Sequence, residues 1–192
     1  MTKYILHGGE TGIPNEHNAA FYQEWIKGFP ADFKPSILLV YFSRPEEEWQ
    51  GLENSDKERF SRYNQDREAN FSVASQDLFR FLEQIKSSDV VYVRGGSTEK
   101  LLETILPIKD RLLSAWDNKV YAGSSAGVMA ISHLTRSNIG PWRHGLGLIP
   151  LNSFVHYGSE FRLDLEACQN DHPENSLEYL LLPETEFVVR EY

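Results

Sequence analysis

Lys119-Val-Tyr-Ala-Gly-Ser-Ser-Ala-Gly-Val-Met-Ala-Ile131 is the stretch that decides how this chain folds. Lys119 to Ala122 has the character of a buried strand, Val128 to Ile131 continues as an apolar helix, and only small residues lie between them. Gly123-x-Ser125-x-Gly127 therefore predicts a sharp strand-to-helix elbow that holds Ser125 in strained backbone geometry above the carboxyl edge of a sheet. A helix starting just after Ser125 presents unpaired N–H groups and the positive end of its dipole, which makes the Ala126 N–H a donor for developing negative charge. The same five residues would also suit an ordinary tight turn. The strand before and the helix after favour a nucleophile. Ser124, which is not flanked symmetrically, reads as structural.

Working outward, short apolar runs alternate with longer amphipathic stretches, the pattern of parallel strands joined by crossover helices. Strands are expected over 3–7, 36–42, 71–73, 89–94 and 119–122, and helices over 15–27, 76–86 and 107–116. The segment 45–67 is rich in Glu, Arg and Asp and predicts a solvated helix with Asn54-Ser55-Asp56 as its cap. Thr98 is expected to cap the helix that follows Gly95-Gly96. Beyond Ile131 the pattern weakens into loops marked by Gly140-Pro141, Gly145, Gly147 and Pro150, with strands over 154–157, 179–182 and 187–190. The 192 residues fit one α/β domain, and no internal repeat or linker stands out.

The totals narrow the function. A formal net charge of −9 argues against nucleic acid or an anionic membrane surface as partner, leaving a peptide or small-molecule substrate. No apolar run reaches the ~18 residues of a membrane span. The first residues become strand-like at once, with no basic, apolar or cleavage-site signature, so a cytoplasmic location is expected. Cys168 is the only cysteine, which excludes an internal disulfide and argues against a cysteine-based metal site. A homodimer is among the assemblies that the sequence allows.

A serine hydroxyl needs a base to take its proton and donors to hold the oxyanion. Gly96, after the buried strand 89–94, is the candidate second donor beside Ala126, because glycine lets backbone approach a substrate closely. Six histidines are candidates for the base. His133 would be carried away on the elbow's own helix, His17 and His172 lie in polar stretches, and nothing singles out His144. His7 ends the first strand and could line the same rim. His156 ends the apolar segment Asn152-Ser-Phe-Val-His-Tyr157, ahead of Gly158, and can reach the rim as well.

These motifs together resemble the dipeptidase E and cyanophycinase family of serine peptidases: Val90-Val-Tyr-Val-Arg-Gly-Gly-Ser-Thr98, Tyr121-Ala-Gly-Ser-Ser-Ala-Gly127, then Gly147-Leu-Ile-Pro150 ahead of Phe154-Val-His-Tyr157. The resemblance implies a three-layer α/β/α sandwich with a mostly parallel central sheet, like the class I glutamine amidotransferase domain. It also implies cleavage of aspartyl or related bonds without metal or cofactor. Carried over by motif, it makes Ser125 the nucleophile, His156 the base, and Gly96 with Ala126 the oxyanion hole.

Two departures from the family matter. Arg94 stands where dipeptidase E has a glycine, and it either enters the substrate site as a bidentate donor to a carboxylate or points away. The segment 135–140, where dipeptidase E carries the acid that orients the histidine, holds no carboxylate. Asn138, Glu160 and, more weakly, Asp164 are the candidates for that role. Should none serve, a slow hydrolase or an inactive peptide-binding module is expected, since loss of the orienting acid costs roughly 10⁴-fold in turnover. The resemblance also brings Pro183-Glu184 toward the site, although as side chains the pair reads as a simple turn between two strands.

Overall fold

The structure is a computed structural model that describes residues 1–172 and 176–192. In chain order its strands are β1 (Lys3–His7), β2 (Ser36–Val40), β3 (Asn70–Val73), β4 (Val90–Val93), β5 (Val120–Ser124), β6 (Leu134–Arg136), β7 (Arg143–His144), β8 (Leu151–Val155), β9 (Glu178–Leu182) and β10 (Phe187–Glu191). The helices are α1 (Glu16–Glu24), α2 (Trp49–Tyr63), α3 (Leu78–Ser87), α4 (Thr98–Ile105), α5 (Lys109–Ala115), α6 (Ala126–Ile131) and α7 (Arg162–Asp171). One sheet has the order β10-β1-β5-β4-β2-β3 and is parallel except for β10, which runs antiparallel beside β1.

Strict alternation along the central strands explains the layers. Ile5, Ile37, Leu39, Val90, Tyr92 and Ala122 point to one face, where they meet Phe21 and Tyr22 of α1, Trp25 at its C-terminal end and Phe60 of α2. Leu6, Leu38, Val40, Val91, Val93 and Tyr121 point to the other, against Phe81 and Ile85 of α3, Leu101 of α4, Leu112 of α5 and α6. Helices on both faces of a mostly parallel sheet make the expected α/β/α sandwich. Beyond Ile131 the chain builds a second sheet, β7-β6-β8-β9, whose Leu151, Val155, Leu180 and Leu182 join the core under α6. The weak pattern there did not announce β6, β7 or α7.

Two capping expectations are corrected. Ser97, not Thr98, caps α4, its Oγ accepting from the Lys100 N–H at 3.2 Å, while Thr98 is buried. Asn54-Ser55-Asp56 lies in the middle of α2, which enters instead through a 3₁₀ turn at Glu46–Glu48. Asp56 is 0% exposed. Its Oδ1 accepts from Arg94 and, at 3.2 Å, from Arg59, and its Oδ2 accepts from the Tyr41 hydroxyl at 3.0 Å. Of the polar triplet only Asp56 faces inward, where it meets these partners, while Asn54 is exposed. Removing one member of a buried ion pair leaves uncompensated charge, so Asp56→Ala is expected to cost about 3–5 kcal/mol, read from the midpoint of urea unfolding.

Candidate active site

Ser125 sits between β5 and α6 with φ 48° and ψ −107°, in the positive-φ region that non-glycine residues rarely occupy. The surrounding structure holds it there. Its N–H donates to the His7 carbonyl at 2.9 Å, and its own carbonyl accepts from Val128 and Met129 at 2.9 and 3.0 Å. The flanking glycines are required by contact. A Cβ on Gly127 would collide with the Val93 carbonyl, and one on Gly123 would stand 2.8 Å from the Tyr121 ring. Tyr121 closes the elbow by donating to the Gly127 carbonyl at 2.7 Å.

His156 follows β8 and is itself at φ 52°, its N–H donating to the Gly8 carbonyl at 3.1 Å. Its Nε2 lies 3.0 Å from Ser125 Oγ, and its Nδ1 lies 3.1 Å from Glu184 Oε1. The chain thus brings a hydroxyl, an imidazole and a carboxylate into one hydrogen-bonded line. Register explains the last contact: β8 and β9 are parallel with Val155 opposite Leu182, so the residues just beyond each strand leave from the same edge. Gly8 and Gly9 complete the arrangement. Any Cβ on Gly9, which has φ 137°, would run into the His156 ring, and one on Gly8 would run into the Pro183 carbonyl. The Gly8 N–H donates to Glu186 and the Thr185 N–H to Gly9, both at 2.9 Å, which pins the turn carrying Glu184 to the end of β1.

The structure therefore places Glu184 where Asn138, Glu160 and Asp164 were the expected candidates. After His156 the chain turns outward through a 3₁₀ turn at Ser159–Phe161, and the exposed Glu160 folds its carboxylate over Gly158. Asp164 pairs with Arg136 at 3.0 Å. Asn138 is exposed on the loop after β6. The reading of Pro183-Glu184 as a mere turn is corrected by the same observation: the backbone is a turn, but its side chain meets the histidine.

His7 is fully buried beneath the site rather than on its rim. Its Nδ1 accepts from the Gly9 N–H at 3.0 Å, so its Nε2 carries the proton donated to Asn18 Oδ1 at 2.8 Å. Asn18 in turn donates to the carbonyls of Glu10 and Ile13 at 2.9 and 2.6 Å, fastening the loop beside the cleft. Burial lowers the His7 pKa to about 4, the Asn18 hydrogen bond opposing that shift and the nearby His156 adding to it. The unfolded chain therefore binds a proton near pH 6.5 that the folded chain refuses until about pH 4. Stability from this group is complete above the unfolded value and declines by roughly 3 kcal/mol as pH falls through that window. In His7→Gln that part of the decline should vanish, so the stability gap between the two proteins at pH 7 should narrow or reverse by pH 4, as measured by urea unfolding at each pH.

A cleft of about 350 Å³ opens in front of Ser125 and His156, bounded by Gly9–Gly12 on one side and by Arg44, Arg94, Gly95 and Gly96 on the other. The N–H groups of Gly96 and Ala126 donate to no acceptor among the described residues. Both expected oxyanion donors thus remain available. Arg94 lines the cleft, but its Nη1 is committed to Asp56, so the expected two-pronged grip on a substrate is available only in part. Among the described residues no group of three or more His, Cys, Asp or Glu side chains could hold a metal ion, and no helix is long and apolar enough to cross a membrane. His17, His133 and His144 are exposed and take no part in lining the cleft.

The sequence model of Peptidase family S51 matches residues 8–191. None of the curated proteins compared with the chain matches it. Among solved structures, a peptidase from an acI-B1 Actinobacterium superimposes with a TM-score of 0.68 at 17% identity, covering 99% of this chain and 83% of that one. A putative Peptidase E protein from Listeria monocytogenes EGD-e superimposes with a TM-score of 0.59 at 15% identity, covering 100% of this chain and 99% of that one. At such identities the two structures speak for the fold alone.

Proposed function

The chain belongs to Peptidase family S51, and on that premise we propose that it is a serine peptidase that cleaves short peptides through Ser125, with His156 as base and Glu184 as the acid that orients it. The observation that carries this reading is the continuous line from Ser125 Oγ through both nitrogens of His156 to the Glu184 carboxylate. Glu184 accepts the Nδ1 proton, which leaves the Nε2 lone pair facing the serine. As Oγ attacks the substrate carbonyl, Nε2 takes its proton and later delivers it to the leaving amine. The Gly96 and Ala126 N–H groups receive the oxyanion. Water then hydrolyses the acyl-enzyme with His156 again as base.

The small cleft favours short peptides over folded chains. Arg44 and Arg94 line the cleft beside Glu10, and Arg59 reaches toward Gly12; an acidic substrate side chain such as aspartate would find its partner among these guanidinium groups. The alternative reading, a peptide-binding module without turnover, rested on the lack of an orienting acid. Glu184 removes that support. A fluorophosphonate probe should label the wild-type protein and leave Ser125→Ala unlabelled; equal labelling of the two would overturn the proposal.

A further inference from the structure

The two glycines of the oxyanion loop are held from behind by a neighbouring dipeptide, Ser43-Arg44, just beyond the end of β2. The Ser43 hydroxyl donates to the Arg94 carbonyl at 2.8 Å, and Arg44 Nε donates to the Gly95 carbonyl at 2.7 Å. The Ser97 N–H returns to the Ser43 carbonyl at 2.9 Å. Contact is close enough that a Cβ on Gly96 would stand 2.9 Å from both Arg44 Nε and Ser43 Oγ. We propose that Ser43 and Arg44 are positioning residues that set the direction of the Gly96 oxyanion donor, Arg44 by gripping the opposite edge of its peptide plane and Ser43 by gripping the plane before it. The inference rests on the reading of Ser125 as nucleophile and adds two residues to that same site.

The reason is the planarity of the trans peptide, whose C=O and N–H point to opposite edges of one rigid unit. Holding the Gly95 oxygen from one side fixes the Gly96 N–H on the other. Holding the Arg94 oxygen fixes the preceding plane, from which the Gly95–Gly96 peptide is hung. Two consecutive glycines would otherwise be free to rotate these planes, since glycine places almost no restraint on φ and ψ. The grip also polarises the unit: a guanidinium donating to a carbonyl makes a charge-assisted bond, and a peptide whose oxygen is so engaged is a stronger donor through its N–H. Arg44 is well placed to do this, because its own backbone is pinned. Its N–H donates to the Tyr41 carbonyl at 2.8 Å, its carbonyl accepts from Trp49 Nε1 at 3.2 Å, and Pro45 limits its backbone.

The test uses Ser43→Ala and Arg44→Ala in the full chain, assayed on a short peptide that the wild-type enzyme hydrolyses. Loss of one oxyanion donor costs 10²–10³-fold, and a donor present but misdirected should cost less, about 10–100-fold in kcat for each variant, with KM within about twofold. Affinity for a peptidyl boronic acid, which mimics the tetrahedral oxyanion, should fall by the same factor as kcat/KM. Millimolar ethylguanidinium should restore part of the activity of Arg44→Ala and none of that of Ser43→Ala. Unchanged kcat in both variants, or a raised KM at unchanged kcat, would overturn the inference while leaving Ser125 as the nucleophile. Wild-type protein inert to both the probe and the boronic acid would overturn the nucleophile reading itself, and this inference with it.

Discussion

Ser125→Ala is expected to lower kcat on a short peptide by on the order of 10⁶-fold, with the fold intact. The size of the effect follows from how the serine, histidine and acid act: as a unit, so that losing the nucleophile forfeits what the other two contribute. The residue left behind still offers a cleft and the N–H groups of Gly96 and Ala126, and a hydrolase stripped of its triad keeps roughly 10³–10⁴-fold over water from such features. Ser125 lies at φ 48° whatever its side chain, and the bonds that hold it there are made by its backbone with His7, Val128 and Met129. Alanine inherits that conformation and its strain. Thermal unfolding of the variant should therefore stay close to wild type while turnover disappears. A variant that keeps even a tenth of wild-type turnover would exclude Ser125 as nucleophile.

Glu184→Gln is the second large effect, expected to lower kcat by about 10²–10⁴-fold. The carboxylate does two things that a neutral amide does poorly: it selects the tautomer with the proton on Nδ1, and it stabilises the imidazolium formed when Ser125 gives up its proton. Because the Glu184 side chain is 51% exposed, water can stand in for part of the second task, which favours the lower end of the range. Glu160→Gln and Asp164→Asn, at the two other carboxylates once eligible for the role, should leave kcat within about twofold. The three variants measured side by side on one peptide give the comparison. A loss in Glu160→Gln as large as that in Glu184→Gln would return the assignment of the acid to the loop after β8.

What could be read from the sequence was local, and what could not was set by pairing across the chain. The elbow declares itself because strand, glycines, serine and helix are contiguous, and Gly123 and Gly127 are small for reasons of contact within that turn and with β4. His156 could be placed at a strand end by the apolar run before it. Glu184 was brought toward the site only by the family resemblance, because its contact with His156 depends on the parallel register of β8 with β9, and nothing between His156 and Glu184 announces that the two strands are neighbours. Asp56 was misread for a related reason. In a segment crowded with charge its pattern is that of an exposed cap, and only the arrival of Arg94 and Tyr41, the residues just after β4 and β2, makes a buried carboxylate tolerable there. The Gly8-Gly9 pair was a visible signal whose meaning, a flat seat for an imidazole, required the partner to be known.

The turn that carries Glu184 is tied to the end of β1 and is followed at once by β10, which closes the sheet against that same first strand. Segments around Gly8–Gly9 and Thr185–Glu186, far apart in sequence, thus meet to finish the site. During synthesis the elbow and its serine emerge well before the acid, and the histidine's seat on Gly9 cannot be locked until the turn after β9 and strand β10 have docked on β1. Contacts between such distant segments are slow to form, because the whole intervening loop must be ordered first. The hydrogen-bonded line is therefore assembled late: a chain synthesised only as far as His156 holds the serine and the imidazole without the carboxylate, and the three meet only when the turn carrying Glu184 has docked on β1.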